Sequence, residues 1–298
     1  MYVYTVKGIE GKNLNEAIVT KNRSIMSFLP LSSTYYNERS GIESTYRIHR
    51  PSNNADSMPL LVFLHGFNGS SKSWAYQFAH FVDYNIIAID APGFGGSHLL
   101  EGGMAAIAEE TAGLIKSLFT KKAVIIGHSM GGMLAQVLAA NHSDLCAALI
   151  LSCTHKGRAQ SKDTSLDAAT LERIEQRRVM DDLEYGFLRV NKMLRDELAP
   201  DVLTFLSDVA GEITVEGIRS GGLAMHHLDT TILLNKISAP VAILTAENDI
   251  VVSPVAAAAL KAGLPNAQNI QLFGVGHAPY CEDPSSFNSA ITQFLCTI

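Results

Sequence analysis

The sequence predicts an α/β fold, in which helices cover both faces of a mostly parallel β-sheet and one helical segment is inserted into the sheet domain. Near-continuous aliphatic runs of strand length alternate with stretches of helical character, as in βαβ units. From residue 155 to 230 the alternation stops and no aliphatic strand run occurs. The 298 residues are enough for one elaborated domain with a substantial core.

The first half of the chain supplies most of the predicted sheet. Residues 34–49 hold two β-rich runs around a Ser-Gly turn and predict a hairpin. Four aliphatic runs are predicted as strands buried on both faces, at residues 59–65, 85–90, 123–128 and 147–153. The intervening helices are predicted at 72–82, 103–119 and 130–142.

The segment 155–230 is polar and helix-prone, and its apolar residues recur at helical spacing, as at Leu171 and Ile174. The strand pattern returns at 239–246 and 269–274, with a helix predicted between them over 252–263. In open α/β sheets, ligands bind beyond the carboxyl ends of the strands. The inserted segment is therefore expected to form a lid over a site at that edge.

These elements divide the chain into four predicted segments. Residues 1–32 form an N-terminal extension, in which Tyr2, Tyr4 and Val6 alternate as in a strand and to which no function is assigned. Residues 33–154 and 232–298 form the two parts of the core domain, and 155–231 form the helical cap.

Composition excludes several classes of protein. The formal net charge of -6 is mild and basic residues mostly sit beside acidic ones, so no nucleic-acid partner is expected. No apolar run approaches the roughly 18 residues of a membrane helix, so no membrane span is expected. The four cysteines, at 146, 153, 281 and 296, lack metal-ligand spacing and are expected to be free thiols. With no targeting pattern at the N-terminus, a cytoplasmic protein is expected.

A G-x-S-x-G motif at residues 127–131 lies where a predicted buried strand runs into a predicted helix. In a tight strand-to-helix turn, side chains at Gly127 and Gly131 would have little space, and the Ser129 hydroxyl would project above the sheet. The Met130 amide would lie at the helix N-terminus, where it can stabilise an oxyanion. The motif alone is weak, because glycine and serine are common in turns.

A serine nucleophile needs a base and an acid, and both have candidates after later strands. His277 follows the last predicted strand, and Asp249 follows the run 239–246, with Glu247 as a rival acid. Taken singly, each could be a structural turn residue. Their placement together at one sheet edge, in the order serine, aspartate, histidine, favours a catalytic triad.

The loop after the strand 59–65 is expected to supply the second oxyanion donor, the amide of Phe67. His65 is expected to support this loop by hydrogen bonding. The glycine-rich turn at 90–97 lacks the G-x-G-x-x-G spacing of a dinucleotide site. The His226-His227 pair points in two directions on a helix and lacks companion carboxylates. We therefore predict neither a cofactor nor a metal.

Five co-linear motifs, HGFNGSSKSW, DAPGFGGS, GHSMGG, ENDIVVSP and GVGHAPYCEDP, resemble those of the α/β-hydrolase superfamily from about residue 33 to the end. The resemblance implies a sheet of eight strands and a cap over the site. It also implies Ser129 as nucleophile, His277 as base, Asp249 as acid, and the Phe67 and Met130 amides as oxyanion hole.

Within the superfamily, haloalkane dehalogenases and epoxide hydrolases carry aspartate at the position of the nucleophile. This chain has Ser129 there, which argues against membership of either class. The chain resembles carboxylesterases, 3-oxoadipate enol-lactonases and meta-cleavage C–C hydrolases. The C–C hydrolases typically carry tryptophan directly after the catalytic histidine, where this chain has Ala278 and its single tryptophan is Trp74. This departure weakens the C–C interpretation.

The expected function is hydrolysis of a carboxylic ester or lactone of a small, largely apolar substrate through an acyl-enzyme. Alternatives are a C–C hydrolase, an acyltransferase or perhydrolase, and a ligand-binding protein similar to plant hormone receptors of this fold. The sequence leaves the oligomeric state open, a homodimer included. Apolar and histidine residues of the cap could line the pocket, although simple packing is the commoner role of such residues: Met180, Phe187, Met193, Met225, His226 and His227.

Overall fold

The computed structural model describes residues 25–52, 58–194 and 198–298. The strand predicted around Tyr2, Tyr4 and Val6 lies outside these residues.

The described residues form one eight-stranded sheet with the order β1-β2-β4-β3-β5-β6-β7-β8. The strands are β1 Ser32–Asn37, β2 Ile42–His49, β3 Leu60–Leu64, β4 Asn85–Ile89, β5 Ala123–His128, β6 Cys146–Ser152, β7 Val241–Ala246 and β8 Gln268–Leu272. The hairpin strand β2 pairs antiparallel with β1 and β4, and every other pair is parallel. The predicted fold, with its mostly parallel sheet of eight strands, is confirmed.

The helices are α1 Ala75–His80, α2 Gly103–Leu118, α3 Met130–Asn141, α4 Ala168–Val179, α5 Asp182–Met193, α6 Pro200–Gly211, α7 Val215–His227, α8 Thr231–Leu234, α9 Pro254–Gly263, α10 Pro279–Glu282 and α11 Pro284–Leu295. A short 3-10 turn, Ser71–Trp74, precedes α1. No helix within the described ranges is both long enough and apolar enough to span a bilayer.

Strand β3 shows why the aliphatic runs form the centre of the sheet. Its five residues are all buried, and successive side chains point to opposite faces. Leu61 and Phe63 pack into the apolar cluster on one face, whereas Val62 and Leu64 pack into the cluster on the other. Both faces of the central strands are therefore covered, as the continuous apolar run predicts.

Helices α4 to α8 all lie between β6 and β7 in the chain. The two ends of this helical segment are joined by backbone hydrogen bonds, from Gln160 N–H to His226 O at 2.9 Å and from Thr230 N–H to Lys156 O at 2.9 Å. A Cβ on Gly221 of α7 would approach the rings of Phe94 and Phe67 within 3.0 Å. Helix α7 therefore packs on the loops that follow β3 and β4. The boundaries 155–231 stay a prediction.

Candidate active site

Ser129 occupies a strained turn between β5 and α3. Its backbone has φ 51° and ψ -116°, a left-handed φ that costs a non-glycine residue free energy. A Cβ on Gly127 would overlap the Gly131 carbonyl, and one on Gly131 would overlap the Leu64 carbonyl. The glycines of the motif are thus needed for the start of α3 to lie this close to β5 and β3, which agrees with the lack of space that the sequence predicts at both positions.

A chain of hydrogen bonds runs from Ser129 through His277 to Asp249. The Ser129 Oγ lies 3.1 Å from His277 Nε2, and His277 Nδ1 lies 3.1 and 3.0 Å from the two Asp249 oxygens. Because a carboxylate can only accept, Nδ1 carries the proton and donates it to Asp249. His277 Nε2 is then free to accept from the serine hydroxyl. The structure brings the three predicted residues together.

Asp249 lies in the turn after β7, where its Oδ1 accepts from the amides of Val251 and Val252 at 2.8 and 3.0 Å. Burial opposes ionisation of this carboxyl, but its hydrogen bonds, first that with His277, outweigh burial and lower its pKa. The rival Glu247 instead accepts from the Gly274 amide at 2.9 Å. Asp249, and not Glu247, is therefore the acid paired with His277.

Two backbone amides beside Ser129 have no acceptor among the described residues, those of Phe67 and Met130. Phe67 lines the same cavity as Ser129. Met130 is the first residue of the 12-residue helix α3, so its N–H lies at the positive end of the helix dipole. That these two amides form an oxyanion hole stays a prediction.

Two further histidines support the loops around the site. His65 Nδ1 donates to the Gly66 carbonyl at 2.8 Å, and the Ala91 amide donates to its Nε2 at 3.0 Å, which matches the predicted supporting role. The ring of His128 lies 4.9 Å from that of His277 and 5.0 Å from that of Tyr280, centroid to centroid. Burial lowers the pKa of both supporting histidines, so both are neutral neighbours of the site.

The Cys153 thiol, Asp249 and His277 place potential metal ligands within 4.8 Å of one another. Burial raises the pKa of Cys153 well above its ordinary value, so the sulfur is a protonated thiol and a poor ligand. His277 uses Nδ1 for Asp249 and Nε2 for Ser129. This donor set fits a hydrogen-bonded triad better than a metal site.

Sequence reasoning missed Glu282 of α10. Its Oε2 accepts from the Gly276 amide and its Oε1 from the Ala278 amide, both at 2.7 Å. One carboxylate therefore fixes the backbone on both sides of His277. A lone acidic residue five positions beyond the histidine carries no recognisable sequence signal, because the contact depends on how α10 folds back.

Replacing Glu282 with glutamine is expected to lower kcat by about 10- to 100-fold with little change in KM. The amide NH2 would face one of the two backbone N–H groups, so the loop would lose a charge-assisted hydrogen bond and His277 would shift. Steady-state kinetics on an activated ester, with thermal unfolding as the measure of folding, checks this. An unchanged kcat in the folded variant would contradict the positioning role.

The cavity above Ser129 is lined from below by the loop 66–69 and from above by helices α4 to α6. Of the six cap residues considered as pocket residues, Met193 lines this cavity. The other five do not line it: Met180, Phe187, Met225, His226 and His227. His226 instead bonds to the Thr164 hydroxyl through Nε2 at 3.0 Å. Arg173 and Arg189, which sequence reasoning did not single out, do line the cavity.

Comparison with known proteins agrees with this fold. A family model described as the alpha/beta hydrolase fold matches residues 59–284, which is most of the chain. The chain belongs to the alpha/beta hydrolase family. Among solved alpha/beta hydrolase-like structures, the enol-lactonase of Burkholderia xenovorans LB400 superposes with a TM-score of 0.76 at 22% identity, over 89% of this chain and 100% of that one. The thermophilic esterase of Thermogutta terrifontis gives 0.75 at 26% identity, over 90% and 98%.

Curated relatives of this alpha/beta hydrolase differ in how much they share with it. An sn-1-specific diacylglycerol lipase of Mus musculus is 26% identical over 80% of this chain and 81% of its own length. Epoxide hydrolase 3 of Xenopus tropicalis is 35% identical over 37% of this chain, and the match spans only 31% of that relative.

Proposed function

We propose that this alpha/beta hydrolase is a serine hydrolase that cleaves a carboxylic ester or lactone through an acyl-enzyme. The observation that carries the proposal is the hydrogen-bonded chain from Ser129 Oγ through His277 to Asp249 at a strained strand-to-helix turn. The esterase, lipase and enol-lactonase among the similar proteins support ester chemistry. Ser129 stands where epoxide hydrolases are expected to carry aspartate.

In the acylation step, His277 Nε2 takes the hydroxyl proton of Ser129 as Oγ attacks the substrate carbonyl. The carbonyl oxygen becomes an oxyanion that accepts hydrogen bonds from the Phe67 and Met130 amides. Asp249 holds the imidazole in place and stabilises its positive charge. His277 then donates the proton to the leaving alcohol oxygen, which leaves an ester on Ser129.

In the deacylation step, water occupies the position of the departed alcohol. His277 takes a proton from this water as it attacks the acyl-enzyme carbonyl, and returns the proton to Ser129 Oγ when the acid leaves. The helical segment 155–231, whose helices α4 to α6 line the cavity, acts as the cap during these steps.

Labelling with a fluorophosphonate probe tests the proposal. We expect one adduct, mapped by peptide mass spectrometry to Ser129 and not to Ser73, which lines the same cavity. A panel of esters, lactones and thioesters is expected to show steady-state turnover. An unlabelled folded protein, or an adduct on Ser73, would contradict the nucleophile.

The same panel separates the alternatives. A single turnover without further product would favour a ligand-binding protein, and capture of the acyl group by added alcohol or peroxide in preference to water would favour an acyltransferase or perhydrolase.

A further inference from the structure

Two arginines of the helical segment lie over the proposed nucleophile. Arg173 on α4 and Arg189 on α5 line the same cavity as Ser129 and His277. Arg189 is only 5% exposed. The Arg173 guanidinium carbon lies 5.2 Å from the centroid of the Phe67 ring, and Phe67 is the residue whose amide is proposed to bind the oxyanion. Two cations therefore lie beside the reacting centre.

Neither guanidinium forms an ion pair with any described carboxylate. Four acidic residues on or next to these two helices pair with other cations: Asp167 with Arg158, Glu172 with Lys192, Glu175 with Arg178, and Asp182 with Arg177. Arg189 donates from Nη1 to Gln176 Oε1 at 3.3 Å, and its buried Nε has no acceptor among the described residues. The described lining of the cavity contains no acidic side chain.

Two neighbouring guanidinium groups without an ion pair are energetically unfavourable unless a bound molecule supplies negative charge. Burial, and the proximity of Arg189, lower the pKa of Arg173 to about 10, so the side chain still carries its charge at neutral pH. Buried charges in proteins are normally paired, because desolvation of an isolated ion is unfavourable. A planar guanidinium matches a carboxylate through two parallel hydrogen bonds. The missing partner is therefore expected to arrive with the ligand.

We propose that Arg173 and Arg189 bind a carboxylate group of the substrate, so that the ester or lactone cleaved at Ser129 is itself an anion. This inference rests on the proposed function and gives it a substrate class. It departs from the largely apolar substrate expected from the sequence. Lys192 also lines the cavity, but its ammonium is paired with Glu172 at 2.8 Å, so the two arginines carry the recognition.

Matched pairs of substrates test the charge requirement. The first arm compares the monoethyl esters of succinic, glutaric and adipic acid with the ethyl esters of the corresponding monoamides. The second arm compares acetylated hydroxy acids with the corresponding amides. In these acetyl esters the carboxylate belongs to the leaving alcohol. In at least one pair, kcat/KM is expected to be about 100-fold higher for the carboxylate than for the amide.

Variants of the two arginines then test whether these residues cause the preference for a carboxylate substrate. Arg173→Gln and Arg189→Gln are each expected to lower kcat/KM for the carboxylate substrate by about 10- to 100-fold and to leave the amide substrate almost unchanged. Arg178→Gln is the matched control, because Arg178 lies on the same helix as Arg173 but is exposed and paired with Glu175. The Tm of the Arg189→Gln variant is expected to stay the same or rise, since it loses a buried charge that has no ionic partner among the described residues.

The outcomes separate failure of this inference from failure of the proposed function. Equal kcat/KM for charged and uncharged members of every pair, unaffected by either arginine variant, would overturn the inference while the hydrolase stands. If no ester is cleaved and no probe labels Ser129, the hydrolase proposal fails. The carboxylate inference is then tested by measuring whether dicarboxylates bind to the protein. Calorimetry with succinate, glutarate and adipate is then expected to show binding that Arg189→Gln abolishes. No dicarboxylate binding, or tighter binding of inorganic phosphate, would overturn the carboxylate assignment.

Discussion

Replacing Ser129 with alanine is expected to lower kcat on an activated ester by about 10⁴-fold or more and to abolish fluorophosphonate labelling. The variant keeps the cavity, the two free amides and the His277–Asp249 pair, but it has no atom that can form the acyl-enzyme. Residual activity would come from water attack assisted by the amides. The fold is expected to remain, because alanine fits wherever the serine Cβ already lies. Steady-state kinetics and intact-protein mass spectrometry measure the two effects.

The matched control is Ser117→Ala, which removes a hydroxyl that bonds only locally, to the Leu114 carbonyl of α2 at 2.7 Å. Its kcat is expected to equal that of the wild type. Near-wild-type turnover by a folded Ser129→Ala variant would show that another group attacks the substrate, and the proposed mechanism would then be wrong.

The sheet could be predicted from sequence because each central strand is marked by a local run of apolar residues. A run such as residues 60–64, buried on both faces, must be continuously apolar, and the helices between such runs follow from chain connectivity. The turn at Ser129 was predictable for a similar reason, since the start of α3 lies so close to β5 and β3 that only glycine fits at 127 and 131. The placement of Asp249 and His277 followed from where the strands end.

The upper half of the site could not be predicted in this way. Helical spacing identifies an apolar face but does not tell which part of that face meets the cavity, so of six cap residues considered only Met193 lines it. Arg173 and Arg189 lie in polar, helix-prone sequence, where charged side chains are ordinarily exposed to solvent. Their burial depends on how α4 and α5 pack over the sheet, which no local pattern encodes.

The choice between Asp249 and Glu247 also needed three-dimensional information. Both residues follow β7 within a few positions, so either could reach the sheet edge. The structure separates them because the amides of Val251 and Val252 turn Asp249 toward His277, while Glu247 bonds to the Gly274 amide.

Replacing Asp249 with asparagine is expected to lower kcat by about 10⁴-fold while the fold is kept. The side-chain oxygen of asparagine would take the place of Oδ1, where the Val251 and Val252 amides donate to it. Its NH2 group would then occupy the position of Oδ2, which lies 3.0 Å from His277 Nδ1. A donor there repels a proton on Nδ1, and the remaining oxygen already accepts from two amides. The imidazole proton is therefore expected to move to Nε2, where the ring can no longer accept the Ser129 proton.

The matched control is Glu247→Gln, the same isosteric loss of charge two residues away, for which kcat is expected to be unchanged. Both variants are compared by steady-state kinetics, and the histidine tautomer is read from the nitrogen chemical shifts of His277. Asp249→Asn should move the proton from Nδ1 to Nε2, whereas Glu247→Gln should not. A large loss of activity in Glu247→Gln together with retention in Asp249→Asn would reassign the acid. A slow Asp249→Asn enzyme with an unchanged tautomer would instead mean that the carboxylate acts through its charge alone, by stabilising the imidazolium that forms during acylation.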